Sequence, residues 1–384
     1  MRKTTDSQVC IVAALLFAVA TMFFLCGCES DGGGDIPVSD ANGYALAIGL
    51  NKVDPAHYGG FWDGELTGCE PDAKDMNEIA TSQGFKVEML LTPNATRDKV
   101  LKKLSALAEE LKPGDLLVVS YSGHGGQIPD KNDDEVEDGL DETWCLYDGQ
   151  LLDDELYGAW MKFQAGVRIL VFSDSCHSGT MLKMKRRDIE SPTPERAREL
   201  DEMWQLQRVP PKLDRARMLM LPELREAVRV RPYLRDRIGR LPTAVPQPNE
   251  PAPSQPVEPE AERVFLSRAI PPGVSMKTYE QNQIFYDELG EAAPKEDPSS
   301  VKASVILISG CEDTQGSADI GFNGLFTWML KKVWDNGAFT GDHRKLHEDI
   351  MKRVKKENPD QVPYFFTVGT GLDAFIEQRP YTLK

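Results

Sequence analysis

The sequence predicts an α/β fold with a mostly parallel central sheet and helices on both faces. Three observations predict it. Short apolar runs recur at residues 44–49, 115–121, 168–174 and 303–309. Helical stripes separate them, and two of the runs end in turns of the same layout, Ser-Gly-His-Gly-Gly after Tyr121 and Ser-Cys-His-Ser-Gly after Asp174. Fully apolar strands alternating with helices belong to a parallel sheet covered on both sides.

The first segment stands apart from that pattern. Arg2 and Lys3 precede an apolar run from Val9 to Leu25, broken only by Thr21, which fits an export signal. Leu25-Cys26-Gly27-Cys28 resembles a bacterial lipobox, which implies cleavage after residue 27 and lipidation of Cys28. Residues 1–27 are thus the expected lipoprotein signal peptide and 28–42, rich in glycine, a flexible tether. The alternative is an uncleaved anchor, since the run is just long enough to span a bilayer. Either way the rest of the chain is expected outside the cytoplasm, held to a membrane of the cell envelope.

Residues 44–49 read as a buried strand. Residues 72–83 read as a helix, with Ala73, Met76, Ile79 and Ala80 on one face and Gly84 as its stop. Residues 86–91 make a second strand. Residues 96–112 give the clearest helix, with Val100, Leu101, Leu104, Leu107 and Leu111 in one stripe. The strands at 115–121 and 168–174 follow. Residues 186–263 differ in composition: rich in arginine at first, then dense in proline from Leu241 to Glu260. They read as a surface insertion whose second half is an extended linker. The α/β pattern resumes with the strand at 303–309, helices near 323–335 and 342–356, and a last strand at 363–368. One domain is therefore expected from residues 43–185 and 264–384.

Bulk properties narrow the function. An apolar fraction of 41% supports a sizeable core. A net charge of −17 argues against nucleic acid as a partner, because phosphate binding needs a basic surface. Outside the leader, Cys69, Cys145, Cys176 and Cys311 are too far apart for a zinc motif or a disulfide scaffold.

In such sheets the loops after the strands build the active site, and both His124 and Cys176 fall there. A thiol attacks a carbonyl as thiolate, so it needs a base within reach, and His124 on the neighbouring strand can supply one. The amides of Gly125 and Cys176 are candidates for the oxyanion site. His177 is a competing base, but strand alternation turns it away from Cys176. Taken singly, a buried cysteine is packing and a histidine among glycines is a turn residue.

Several motifs occur in the order of one family. Tyr121-Ser-Gly-His-Gly-Gly-Gln127, Asp138-Gly-Leu-Asp-Glu-Thr143, Asp153-Asp-Glu-Leu156, Asp174-Ser-Cys-His-Ser-Gly179 and Ile308-Ser-Gly-Cys-Glu-Asp313 resemble the bacterial metacaspases, or orthocaspases, among the caspase-like cysteine peptidases. The resemblance covers residues 43–185 and 300–370. It implies a caspase-like three-layer sandwich and a His124/Cys176 dyad acting through a thioester. Gly68-Cys-Glu-Pro-Asp-Ala73 is similar to the family's pocket segment, which implicates Cys69 and Asp72, with Ser122 and Asp174 at two further pocket positions. Strand parity agrees: Ser122 lies two before His124 and Asp174 two before Cys176. Two carboxylates there would take arginine or lysine of a protein or peptide substrate and repel acidic residues. Asp72 could instead be the cap of its helix, or both.

The dyad requires no cofactor. The family's calcium ligands would fall on Asp153 and Asp154, yet Lys183 occupies the position of a further aspartate ligand, which counts against calcium. Asp153 could instead cap a helix. The loop at 130–138 starts like an EF-hand, but Glu135 stands where that loop needs glycine. Lys185, Arg186 and Arg187 would suit the expected pocket as self-cleavage sites. Two other readings are a non-catalytic envelope lipoprotein using the same fold for binding, and a different hydrolase; no Gly-x-Ser-x-Gly elbow is present for the latter.

Overall fold

The computed structural model describes residues 41–132, 135, 139–176, 266–295, 297–312 and 316–383. The leader, Cys28, His177, Lys183, the three basic residues at 185–187 and the whole insertion at 186–263 lie outside them.

In chain order the elements are β1 (Gly43–Gly49), α1 (Cys69–Ser82), β2 (Lys86–Leu91), α2 (Arg97–Glu110), β3 (Leu116–Ser122), β4 (Gly125–Pro129), β5 (Leu140–Leu146), β6 (Gly149–Leu152), α3 (Asp153–Trp160) and β7 (Arg168–Asp174). Then come β8 (Leu266–Ser267), α4 (Pro272–Gln281), α5 (Gln283–Ala292), β9 (Ser304–Ser309), β10 (Ala318–Asp319), α6 (Leu325–Trp334), α7 (His343–Glu357), β11 (Tyr364–Gly369) and α8 (Leu372–Ile376).

Six strands form the main sheet in the order β11-β9-β7-β3-β1-β2. All are parallel except β11, which runs antiparallel to β9. Residue alternation sends the two sets of side chains into separate cores. Val119, Ile169, Val171 and Leu307 join Val100, Leu104, Leu107 and Trp160 of α2 and α3 on one face. Val118, Leu170, Phe172 and Ile308 join Met76, Ile79, Phe326, Leu330, Leu346 and Ile350 of α1, α6 and α7 on the other. Both faces being covered, β3, β7 and β9 are buried at every position, which is why they carry apolar runs, with serine, arginine and aspartate toward their ends. The edge strand β2 reads differently, with Val87 and Met89 exposed. The expected α/β sandwich is thus the fold.

Several elements went unread in the sequence. The glycine turn after Ser122 opens a second, three-stranded antiparallel sheet, β4-β5-β6. The short strand β8 pairs with β10, and α4 and α5 follow it. These pieces are short or interrupted by glycine and polar residues, so no periodicity marks them.

The alternative readings of Asp72 and Asp153 as helix caps do not hold. Helix α1 begins at Cys69 with Gly68 as its N-cap, so Asp72 lies inside the first turn and its carboxylate is free for tertiary partners. Asp153 is likewise the first residue of α3, with Leu152 before it as N-cap. Thr96 and Asp342 cap α2 and α7, accepting from the amides of Lys99 and Lys345.

Candidate active site

Strand β3 pairs with β7 so that Ser122 faces Asp174, and the two turns leave the sheet side by side. The first turn is tied down through the carbonyl of His124, which accepts from the Tyr121 hydroxyl at 2.7 Å and the Cys145 amide at 2.9 Å. Tyr121 in turn stacks on Trp144, with centroids 4.4 Å apart and planes 9° from parallel. Folding the phenol back under the turn leaves no room for a side chain at 123, hence glycine. Gly125 is stricter still, since a Cβ there would overlap the carbonyl oxygen of Cys176.

His124 is buried beside Trp62, ring to ring at 4.8 Å. Its Nε2 lies 3.0 Å from the carbonyl oxygen of Gly64. A carbonyl can only accept, so Nε2 carries the proton and Nδ1 presents a lone pair. Nδ1 has no well-formed hydrogen bond among the described residues. Burial pushes the imidazole down to about 4, against the pull of the Gly64 carbonyl, so the ring is neutral at pH 7.

The Cys176 thiol is also buried. Burial alone would raise it, but hydrogen bonding with Cys311 and Ser267, the Ser317 amide at 3.0 Å and the Arg268 charge outweigh that and hold it below the ordinary cysteine value. Cys69 and Cys145, with less such support, are pushed up by burial. Of these three thiols, Cys176 is therefore the one biased toward thiolate. It forms no hydrogen bond with His124. The turns that carry them share one neighbour, because the Gly125 and Cys176 amides both meet one peptide of the chain itself.

That peptide joins Arg268 to Ala269. The carbonyl oxygen of Arg268 accepts from the Gly125 amide at 2.8 Å and the Cys176 amide at 3.3 Å. These are the two amides singled out as oxyanion donors. On one side the Arg268 amide donates to the Ser317 carbonyl at 2.9 Å and β8 pairs with β10. On the other the Ile270 amide donates to the Gly125 carbonyl at 2.8 Å, and Ala269 bridges Gly125. The segment 266–270 thus crosses both turns as an extended strand.

The Arg268 side chain enters a closed acidic pocket. Its Nη2 lies 2.8 Å from Asp72 Oδ2 and 3.5 Å from Asp319 Oδ2, and Nη1 lies 3.1 Å from Asp174 Oδ1. Nη1 also donates to Ser122 Oγ at 2.8 Å and to the Asp174 carbonyl at 3.0 Å. Each carboxylate is held by further donors: Asp72 by Asn323 Nδ2 and the Gly324 amide, Asp174 by Thr327 and the Ser317 hydroxyl, Asp319 by the Gly68 amide. Gly324 packs flat on the guanidinium, where any Cβ would collide with Arg268 and Asp174. Burial pushes the Asp72 carboxyl up to about 7 while Arg268 pulls it back, and the surrounding acids hold the guanidinium firmly charged.

Asp72, Ser122 and Asp174 thus meet in one pocket, as the resemblance implied and as strand parity agreed for Ser122 and Asp174, and Cys69 is buried at its edge within the field of Arg268. Sequence reasoning missed Asp319, Gly64 and Arg268. Asp319 is one of 61 acidic residues, and Arg268 follows an arginine-rich stretch, so neither stood out.

The two expected metal ligands part company. Asp153 joins Glu135 and Glu142, with one carboxylate oxygen of each within 4.8 Å of the others, the hard oxygen chemistry that Ca²⁺ takes. Asp154 instead accepts from Asn132 Nδ2 at 3.1 Å. No described helix is long and apolar enough to cross a membrane.

Comparison with known proteins agrees with this picture. Residues 42–371 match the family model described as the caspase domain, peptidase C14. Metacaspase-1 of Pyricularia oryzae is 38% identical over 156 residues, 36% of this chain and 37% of that protein. Metacaspase-1 of Schizosaccharomyces pombe is 36% identical over 155 residues, 36% of this chain and 35% of its own length. The chain therefore spans about a third of the length of these curated relatives. Among solved structures, protein GSU0716 of Geobacter sulfurreducens gives a TM-score of 0.64 at 40% identity, covering 89% of this chain and 99% of that one.

Proposed function

Since the chain belongs to the caspase-domain family of cysteine peptidases, we propose that it is an endopeptidase that cleaves after arginine or lysine through Cys176 and His124. One observation carries the specificity: a guanidinium already sits among Asp72, Asp174 and Asp319, with its own carbonyl on the Gly125 and Cys176 amides. A pocket of three acids binds a long cation and repels a carboxylate.

The chemistry follows from the same geometry. Cys176 Sγ adds to the substrate carbonyl and its proton passes to His124 Nδ1, the ring nitrogen left free by the Gly64 contact. The Gly125 and Cys176 amides stabilise the oxyanion. The imidazolium then protonates the leaving amine, the C–N bond breaks, and water hydrolyses the thioester to release a carboxylate and restore the thiol. No step needs a metal. The Glu135, Glu142 and Asp153 cluster has the oxygen chemistry that Ca²⁺ takes, and the lysine at 183 weighs against calcium activation. The amino-terminal signal and Cys28 support export and lipid anchoring at the cell envelope, which puts the substrates outside the cytoplasm.

The test is a set of fluorogenic peptides that differ only in the residue before the cleaved bond. Arginine and lysine peptides should be turned over by the wild type and not by Cys176→Ala. A preference for aspartate would end the proposal.

A further inference from the structure

We infer that Cys311 is a resolving thiol for the nucleophile, and that a hydroperoxide joins Cys176 and Cys311 in a reversible disulfide that switches the site off. The inference goes beyond the peptidase reading and rests on it only for the activity that the bond removes.

Strand pairing sets the two sulfurs side by side. β7 and β9 are neighbours in the sheet, with Phe172 opposite Ile308 and Ser173 opposite Ser309. Cys176 lies three residues past the end of that pairing and Cys311 two, so they leave adjacent strand ends. Neighbouring strands are about 4.8 Å apart, within the roughly 4.4–6.8 Å between Cα atoms that a disulfide spans. Beyond the strands the two turns stay tied together. The Gly310 amide donates to the Ser173 carbonyl at 2.8 Å, and the Cys311 thiol donates to the Ser175 carbonyl at 3.3 Å. The Ser309 hydroxyl holds the Cys311 carbonyl at 2.9 Å. The Cys311 thiol therefore sits against the residue before Cys176, and it hydrogen-bonds with the Cys176 thiol.

A cysteine kept only for packing needs volume and no sulfur partner. The other buried thiols differ in what they touch: Cys69 meets Ser122, and Cys145 meets Thr143 and Tyr58. Cys311 meets the nucleophile.

The chemistry takes two steps. The Cys176 thiolate attacks one oxygen of the hydroperoxide, the O–O bond breaks, and Cys176 becomes a sulfenic acid as the first water forms. The Cys311 sulfur then attacks the Cys176 sulfur, the S–O bond breaks, and the hydroxyl leaves with the Cys311 proton as a second water. Two thiols lose two electrons and two protons, and hydrogen peroxide takes them to become two waters. A dithiol reductant restores both thiols by exchange. While its sulfur is bonded, Cys176 cannot add to a carbonyl and gives His124 no proton to accept. The bond also keeps the sulfenic acid from becoming sulfinic acid, which is irreversible. The proposed export puts the chain where no cytosolic thiol pool keeps cysteines reduced.

Both residues are shut off from bulk solvent, so the probe is small: hydrogen peroxide in excess. Full-length wild type, Cys311→Ser and Cys145→Ser are treated, their remaining thiols are alkylated, and their peptides are mapped. Arginine-peptide turnover of each is read before treatment, after it, and after dithiothreitol. We expect a peptide pair linked through Cys176 and Cys311 in wild type and in Cys145→Ser. Their turnover should fall at least about tenfold and return with the reductant, because only a thiolate attacks. Cys311→Ser should form no link and lose its turnover for good, its Cys176 carried on to sulfinic acid. An oxidised wild type without the linked pair overturns the inference and leaves the peptidase reading standing. So does full recovery of oxidised Cys311→Ser, or a wild type whose turnover peroxide leaves intact. Should Cys311→Ser fail to fold, the mapped wild type still decides. A linked pair in a wild type that turns over no peptide supports the disulfide and overturns only the peptidase reading. No link with no turnover overturns both.

Discussion

Arg268 and Asp72 lie 196 residues apart in the chain and 2.8 Å apart in space, both shut off from solvent. An ion pair this buried is strongly destabilised when one partner is removed, by roughly 3–5 kcal/mol. The wild-type pocket therefore needs a cation, and the chain supplies one of its own.

The first prediction concerns specificity. Asp72→Asn should raise KM for arginine peptides about a hundredfold, given 2–3 kcal/mol for a lost charge-assisted hydrogen bond, with a much smaller change in kcat. Steady-state kinetics separates the two. A fall in kcat alone would place Asp72 outside substrate binding.

A second prediction is a proton linkage. With the guanidinium present Asp72 sits at about 7, and removing that cation raises it further, because Arg268 is what lowers it. Guanidinium binding therefore expels a proton above pH 7, and affinity should strengthen as pH rises, by up to about tenfold per unit. Competitive inhibition by agmatine measures this without involving the dyad, and Asp72→Asn should flatten the profile.

For the turn pair, Gly125→Ala should abolish activity in a folded protein by displacing the Cys176 carbonyl. His124→Ala should lower kcat by about a thousandfold or more while leaving agmatine affinity unchanged, since loss of a general base costs on the order of 10²–10⁴. Circular dichroism verifies folding in each case.

His343 gives a prediction on stability. It is buried edge-on against Phe375, and burial lowers it from 6.5 to about 4. The unfolded chain binds the proton first, so stability should be full above pH 6.5 and decline as pH falls toward 4, by up to roughly 3 kcal/mol. His124 has the same sign. Thermal melts of wild type and His343→Phe across that window should converge at low pH.

Finally, Cys28→Ser should abolish incorporation of labelled palmitate and release the protein from membranes. Retained label would place the anchor elsewhere.

The sequence alone determined the layered architecture, because β3, β7 and β9 are buried on both faces and so carry apolar runs in place of an alternating pattern. It also placed His124 and Cys176 at neighbouring strand ends, while Ser122 and Asp174 came from the family resemblance, with strand alternation in agreement. Its alternative reading of Asp72 and Asp153 as helix caps fails, because the true start of a helix depends on backbone that composition does not mark. Tertiary structure alone decided that Asp319 completes the pocket and that Arg268 fills it. Such contacts span between 51 and 196 residues, and their pairing is set by how the sheet and its connections close in space, which no local pattern encodes.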